Sequence, residues 1–196
     1  MTVSDLVSEI ESDTAFFDES GGGITMSGGD PLFQPEFTTA VLSACQQLKI
    51  HTTLDTCGFA PWEHLEQVAR VSDLVLYDLK HMDDDKHLRW TGQSNELILN
   101  NLVRLDSLGK RLWIRIPFIP EINDAAQHWR KLGAFVATLQ SVEAIHLLPY
   151  HRAGKAKSIH LERASTQTFS VPDQGAVIAA AQLIEDASGH KVSLGG

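Results

Sequence analysis

The chain has 196 residues, 43% of them apolar and 21% charged, and no apolar run long enough to span a bilayer, so it reads as one globular domain over 1–196 rather than a fibrous, disordered or membrane-embedded chain. Its net charge of −9, from 16 basic and 25 acidic residues, argues against nucleic acid as a partner, because neutralising phosphates needs a basic face. The acidic, amphipathic start is unlike a secretory signal, and the only two cysteines, Cys45 and Cys57, are expected to be reduced thiols in the cytoplasm.

Thr2 to Asp13 places Val3, Leu6, Val7 and Ile10 on one helical face, with Thr2 or Ser4 as the cap. Gly23 to Ser27 reads as a short strand inside the run S-G-G-G-I-T-M-S-G-G-D-P, residues 20–31. A helix follows from Gln34 to Leu48, then a strand from Ile50 to Thr56, a helix from Pro61 to Arg70 and a strand from Leu74 to Leu79. Asp84 to Trp90 and Asn95 to Leu108 read as helices, the second stopping at Gly109. The strand from Arg111 to Phe118 is interrupted by Pro117; Ala125 to Leu139 is a helix and Val142 to Leu148 a strand. Arg152 to Ser170 is polar loop or weak helix, Gln174 to Ala187 the last helix and Lys191 to Leu194 a final strand.

Strand and helix alternate, and the strands are nearly continuous apolar runs. This is the pattern of an α/β fold with a parallel sheet covered on both faces. A barrel or part-barrel is expected, with an open doubly wound sheet as the alternative.

In such folds the C-terminal strand ends meet on one face, and that face holds the site. The first strand here is followed by Gly28, Gly29 and Asp30. The second ends on Asp55, the third on Asp78, Leu79 and Lys80, the fourth carries Arg115, and His151 follows the fifth. Glycine lets backbone approach a ligand closely because it has no Cβ. A phosphate cradle at Gly28 and Gly29 is one reading. No metal-ligand set is assigned: His81, Asp83, Asp84, Asp85 and His87 resemble one in composition, but the acids sit at a helix start, where the dipole favours them. The basic stretch 151–157 reads as a solvated loop.

Six stretches together resemble the glycyl radical enzyme activating enzymes, the pyruvate formate-lyase activase group of the radical S-adenosylmethionine superfamily. They are 20–37, I-H-T-T-L-D-T-C-G-F (50–59), D-L-V-L-Y-D-L-K-H-M (73–82), T-G-Q-S-N (91–95), I-R-I-P-F-I-P (114–120) and H-L-L-P-Y-H (146–151). The resemblance implies a partial (β/α) barrel that binds S-adenosylmethionine across its C-terminal strand ends. It implies that a reduced 4Fe–4S cluster cleaves this cofactor, and that the resulting 5′-deoxyadenosyl radical takes hydrogen from a glycine of a partner enzyme such as formate acetyltransferase. Flavodoxin or ferredoxin would be the electron donor. Gly28, Gly29, Asp30, Asp55, Asp78, Leu79, Lys80 and His151 would bind the cofactor, and Lys80, Arg115 and His151 would line the approach of the partner's glycine loop. Asp30 stands where the family often has Glu, one carbon longer. A cation is expected between Asp55 and Asp78, since two close carboxylates otherwise repel.

One departure stands out. The family signature C-x-x-x-C-x-x-C is absent from the 196 residues. Cys45 lies on a helix's apolar face and Cys57 at a strand end, and two thiols cannot ligate a cluster by themselves. The chain is expected to be the downstream part of an activase, without the first strand and cluster loop. Its strand at Gly23–Ser27 would then be an edge open to self-association or a partner segment. Such a chain would be inactive alone, or a cluster-less remnant that binds the cofactor or the partner.

Overall fold

The computed structural model describes residues 2–151 and 169–195. The elements are α1 (Val3–Ser12), α2 (Thr14–Ser20), β1 (Gly23–Met26), a 3₁₀ turn (Pro31–Phe33), α3 (Pro35–Gln47), β2 (His51–Thr56), α4 (Trp62–Arg70), β3 (Leu74–Asp78), α5 (Asp84–Thr91), α6 (Glu96–Ser107), β4 (Leu112–Phe118), α7 (Ala126–Val136), β5 (Val142–Pro149), α8 (Gln174–Ser188) and β6 (Val192–Leu194). Most of the polar stretch 152–170 lies outside the described residues, as does the basic stretch beyond His151.

The six strands run in the order β1-β2-β3-β4-β5-β6. The pairs β1–β2, β2–β3 and β5–β6 are parallel. Strand order that follows chain order means every crossover steps the same way, as in a (β/α) barrel. A doubly wound sheet would reverse its order at a switch point, and this one does not. β1 stands at one edge.

Two compact units make up the chain. The first comprises Met1–Asp78, Glu96–Ile114 and Gln140–Glu143, the second Leu79–Asn95, Arg115–Leu139 and Ala144–Gly196.

In the first unit, α1 starts on a capping box: the Thr2 hydroxyl accepts from the Asp5 N–H, and the Asp5 carboxylate accepts from the Thr2 N–H. The helix has no fully buried residue; Val3, Leu6 and Ile10 rest, with Phe17 of α2, on a core of Val41, Cys45 and Ile50. β2 alternates little, with Thr52, Leu54 and Thr56 buried on one side and Thr53 on the other, as covered strands do. Gly23 permits β1 to lie against β2, since a Cβ there would collide with the His51 carbonyl.

In the second unit, α7 packs on α8 through Gly133, whose Cβ would stand 2.8 Å from the Ile184 carbonyl oxygen and 2.7 Å from the Ala187 Cβ. Trp129 of α7 is buried and stacks on Phe118, ring centroids 5.2 Å apart, and His128 meets Trp129 edge-on at 4.5 Å. α5 is capped by Asp83, whose side chain accepts from the Lys86 N–H. Asp84 accepts from the Ser94 hydroxyl and the Asn95 N–H, and His87 bonds the Gln93 carbonyl. The acids and histidines of this run are thus helix-end and loop-closing groups.

Candidate functional site

In the first unit, the parallel register sets Met26 against Leu54 and Thr56 against Tyr77, so the ends of β1, β2 and β3 lie side by side. The next residue of β1, Ser27, donates its hydroxyl to Asp55 at 3.0 Å. Gly28 follows with φ +122, a conformation closed to side chains by backbone sterics. Among the described residues, no heavy atom beyond the adjoining residues lies within 4 Å of where a Cβ would stand on Gly28 or Gly29. The turn after β1 therefore presents bare, unobstructed backbone, a ledge that a ligand can approach more closely than at any side-chain-bearing residue.

Asp30 is held from four sides. One carboxylate oxygen accepts from the Leu32 N–H at 3.1 Å and caps the 3₁₀ turn. The other accepts from the Thr56 hydroxyl at 2.8 Å, the Cys57 N–H at 3.0 Å and the Cys57 thiol at 3.3 Å. Asp30 thus joins the end of β1 to the end of β2, and its oxygens already have protein donors. Through these bonds Asp30 braces the glycine turn. The Thr56 hydroxyl also accepts from the Gly58 N–H, at 2.9 Å. Behind this brace lies buried Tyr77, whose hydroxyl donates to the Ile98 carbonyl at 2.7 Å. Burial, then the nearby Cys57 and Asp30, hold its phenol well above the usual value. Asn101 of α6, 1% exposed, closes the loop after β2 by donating to the carbonyls of Gly58 and Ala60 at 2.8 and 2.9 Å. Asp78 ends β3.

The second unit carries the remaining candidates. Leu79 is buried, 2% exposed, and its N–H donates to the Arg115 carbonyl of β4 at 2.9 Å, so its side chain belongs to the core. Lys80 is partly exposed, and its carbonyl accepts from Asn123. Arg115 alternates with buried Ile114 and Ile116 along β4. His151 is exposed just past Tyr150, whose N–H donates to the Phe118 carbonyl at 2.9 Å.

Within the first unit the structure brings Gly28, Gly29, Asp30 and Asp55 together at adjacent strand ends; within the second, Leu79 bonds Arg115 of β4 and the next residue, Lys80, is held by Asn123. Ser27, Thr56, Asn101 and Asn123 were not visible as site residues in the sequence. Of these, Ser27 alone carried a local signal, its place directly before the glycine pair in the run S-G-G-D.

S-adenosylmethionine fits the glycine ledge, which is open backbone beside hydroxyl and carboxylate groups. The chain's own thiols do not fit an iron–sulfur cluster. Cys45 is fully buried in the core of α3, with its thiol pKa raised by burial, and Cys57 donates to Asp30.

Comparison with known proteins agrees with this arrangement. The family model described as "Radical SAM superfamily" matches residues 1–132. The trans-4-hydroxy-L-proline dehydratase activating enzyme of Clostridioides difficile is 46% identical over 80% of this chain and 52% of its own length. The pyruvate formate-lyase-activating enzyme of Staphylococcus aureus is 38% identical over 92% of this chain and 74% of its own. The chain thus spans about half the length of the first of these relatives and three quarters of the second. A crystal structure of a domain of pyruvate-formate lyase-activating enzyme from Bacteroides vulgatus superposes with a TM-score of 0.76 at 34% identity, covering 89% of this chain and 99% of that domain. Partial barrel, glycine ledge and these likenesses coincide: the chain belongs to the radical SAM superfamily and, within it, to the glycyl radical enzyme activating enzymes.

Proposed function

We propose that this chain supplies the S-adenosylmethionine-binding part of glycyl radical enzyme activation, with a glycyl radical enzyme as its protein substrate. The observation that carries the reading is the Gly28–Gly29 turn, open on its ligand side and held at the end of β1 by Asp30. The ledge would receive the methionyl end of the cofactor, with Asp55 and Asp78 near it, and Lys80 is proposed as a further cofactor contact. Arg115 and His151 would line the approach of the partner's glycine. When bound and reductively cleaved, S-adenosylmethionine supplies the carbon radical that takes a hydrogen atom from that glycine. The electron for cleavage would come from flavodoxin or ferredoxin. The role of the chain's own residues is to bind and orient.

Gly29→Ala tests the reading. Among the described residues no atom beyond the chain neighbours stands within 4 Å of the new methyl and no unusual φ is involved, so stability stays within about 0.5 kcal/mol of the parent. S-adenosylmethionine affinity, read from its stabilisation of the fold against heat, falls about tenfold or more. Unchanged affinity would remove the ledge from the site. Protection by inorganic phosphate in place of S-adenosylmethionine would favour the phosphate cradle.

A second reading is favoured by the placement of the thiols: the chain binds cofactor or partner without producing a radical. Iron and sulfide content after anaerobic reconstitution separates the two, since only the first requires a cluster.

A further inference from the structure

The residues that follow β3, Leu79 to Asp83, have no regular secondary structure, yet each is pinned. The Leu79 N–H donates to the Arg115 carbonyl at 2.9 Å. The Lys80 carbonyl accepts from Asn123 Nδ2 at 3.2 Å, and the His81 carbonyl from Asn95 Nδ2 at 3.0 Å. The Met82 N–H donates to His128 Nδ1 at 3.4 Å, and the Asp83 N–H to His81 Nδ1 at 2.9 Å. Connecting segments ordinarily bond to water and move. This one is bonded, residue by residue, to buried side chains and to a strand.

Asn123 is its principal anchor. It is 1% exposed. Its Nδ2 donates to the Pro117 carbonyl at 2.6 Å as well as to Lys80, and its Oδ1 accepts from the Ile119 N–H at 2.8 Å. With both amide hydrogens and the oxygen engaged, the side chain has a single orientation. Pro117 explains why an anchor is needed there. After the bond from Leu79 N–H to the Arg115 carbonyl, the next rung of a parallel ladder is the N–H of residue 117 to the Leu79 carbonyl. Proline has no N–H to give. The ladder stops one residue before Lys80, and Asn123 makes the connection instead.

We propose that Asn123 is a positioning residue that holds Lys80 in place for contact with S-adenosylmethionine, taking over from the strand ladder where Pro117 ends it. The inference rests on the cofactor reading above. A lysine side chain is long, so a small backbone displacement at Lys80 moves its ammonium out of reach, and misplacement of about 1 Å at a binding group costs up to a hundredfold.

The test uses the full gene product and S-adenosylmethionine as the probe, with Kd from equilibrium dialysis well below the unfolding temperature. Asn123→Ala, Asn123→Asp and Lys80→Ala are compared with the double variant Lys80→Ala, Asn123→Ala. Leu132→Ala serves as control: Leu132 is fully buried on α7 and is not among the groups that pin Lys80. Asn123→Asp keeps the acceptor for Ile119 but sets oxygen against the carbonyls of Lys80 and Pro117, so it is expected to be no better than alanine. Both Asn123 variants weaken binding about tenfold, and the double variant is no weaker than Lys80→Ala. Amides of Leu79 to Asp83 exchange faster in Asn123→Ala than in Leu132→Ala. Asn123→Ser, which retains one donor, carries the same comparison if the alanine variant does not fold.

Equal effects in Asn123→Ala and Leu132→Ala, or additive losses in the double variant, overturn the inference. If Gly29→Ala weakens binding while Lys80→Ala and Asn123→Ala leave it unchanged, the cofactor reading stands and this inference alone falls. If the unsubstituted protein binds no S-adenosylmethionine, both fall.

Discussion

Asp30 and Thr56 stand 26 positions apart in the chain and are joined at 2.8 Å, the Asp30 carboxylate accepting from the Thr56 hydroxyl. The same carboxylate accepts from the N–H groups of Leu32 and Cys57. Asp30→Ala leaves these donors without their partner at a part-buried site, a loss of about 2–3 kcal/mol. For a chain of this size that lowers Tm by roughly 5–10 °C. Differential scanning fluorimetry reads it directly. An unchanged Tm together with lost S-adenosylmethionine affinity would mean that the carboxylate serves the ligand and not the turn.

Gly58 and Tyr77 make a tighter contact. Gly58 has φ +71, and a Cβ there would collide with the Tyr77 hydroxyl, which is itself bonded to the Ile98 carbonyl in the core. Gly58→Ala combines backbone strain with overpacking, together about 3–5 kcal/mol. Removing the hydroxyl relieves part of the collision. The double variant Gly58→Ala, Tyr77→Phe is therefore less destabilised than the two single losses sum to, as urea unfolding of all three will show. Strict additivity would place the cost of Gly58→Ala in its backbone alone.

These two contacts show where sequence reasoning reached and where it stopped. Every strand was legible to within a residue or two, because covered parallel strands are apolar runs bounded by turns. The candidates at strand ends were legible for the same reason. α2 was not: T-A-F-F-D-E-S has no apolar period, and the helix is held by Phe17 packing on the first core and closed by Gly21 at φ +65. Gly21, met in the sequence as part of a loose glycine run, is a helix end, whereas Gly28 is the open ledge. The anchoring asparagines were invisible for another reason. Asn101 bonds Gly58, and Asn123 bonds Lys80, each 43 positions away. Local spacing carries no trace of partners that distant. Asp30 was visible as a candidate, but its bracing of the turn was not, since its donors come from the end of the following strand.

Gly133 sets two opposing effects against each other. Replacing a mid-helix glycine by alanine gains about 1 kcal/mol of helix propensity. Here the new methyl stands 2.8 Å from the backbone oxygen of Ile184, which cannot swing away as a side-chain end can. Overpacking of this kind costs about 1–3 kcal/mol, so Gly133→Ala destabilises by up to about 2 kcal/mol net. Adding Ala187→Gly removes the second close contact and recovers part of the packing cost beyond the helix propensity it forfeits. A stabilised Gly133→Ala, measured by urea unfolding, would show that α7 and α8 can separate by several tenths of an ångström without loss.

His128 gives the protein a stability that depends on pH. The residue is 5% exposed, and burial, reinforced by the charges of His81 and Lys86 and opposed by Asp83, lowers its pKa from 6.5 to about 3. The folded protein keeps His128 neutral, while the unfolded chain takes up a proton below pH 6.5. The unfolded state then binds more protons, so stability is highest above pH 6.5 and falls as pH drops towards 3. The slope is about 1.4 kcal/mol per pH unit, or about 2 kcal/mol between pH 7 and pH 5. His81, lowered chiefly by burial, adds to the fall in the same direction. Asp73, Asp84, Glu143 and Glu185 have lowered pKa values as well, but carboxylates lose their contribution only at more acid pH, leaving the range from 7 to 5 to the histidines. His128→Asn places an amide oxygen near the position of Nδ1, able to accept from the Met82 N–H, and has no proton to take up. Urea unfolding at pH 7, 6 and 5 should therefore show a shallower decline in His128→Asn than in the parent, whatever its stability at pH 7. An equal decline in both would assign the pH dependence to other groups and leave His128 a neutral packing residue against Trp129.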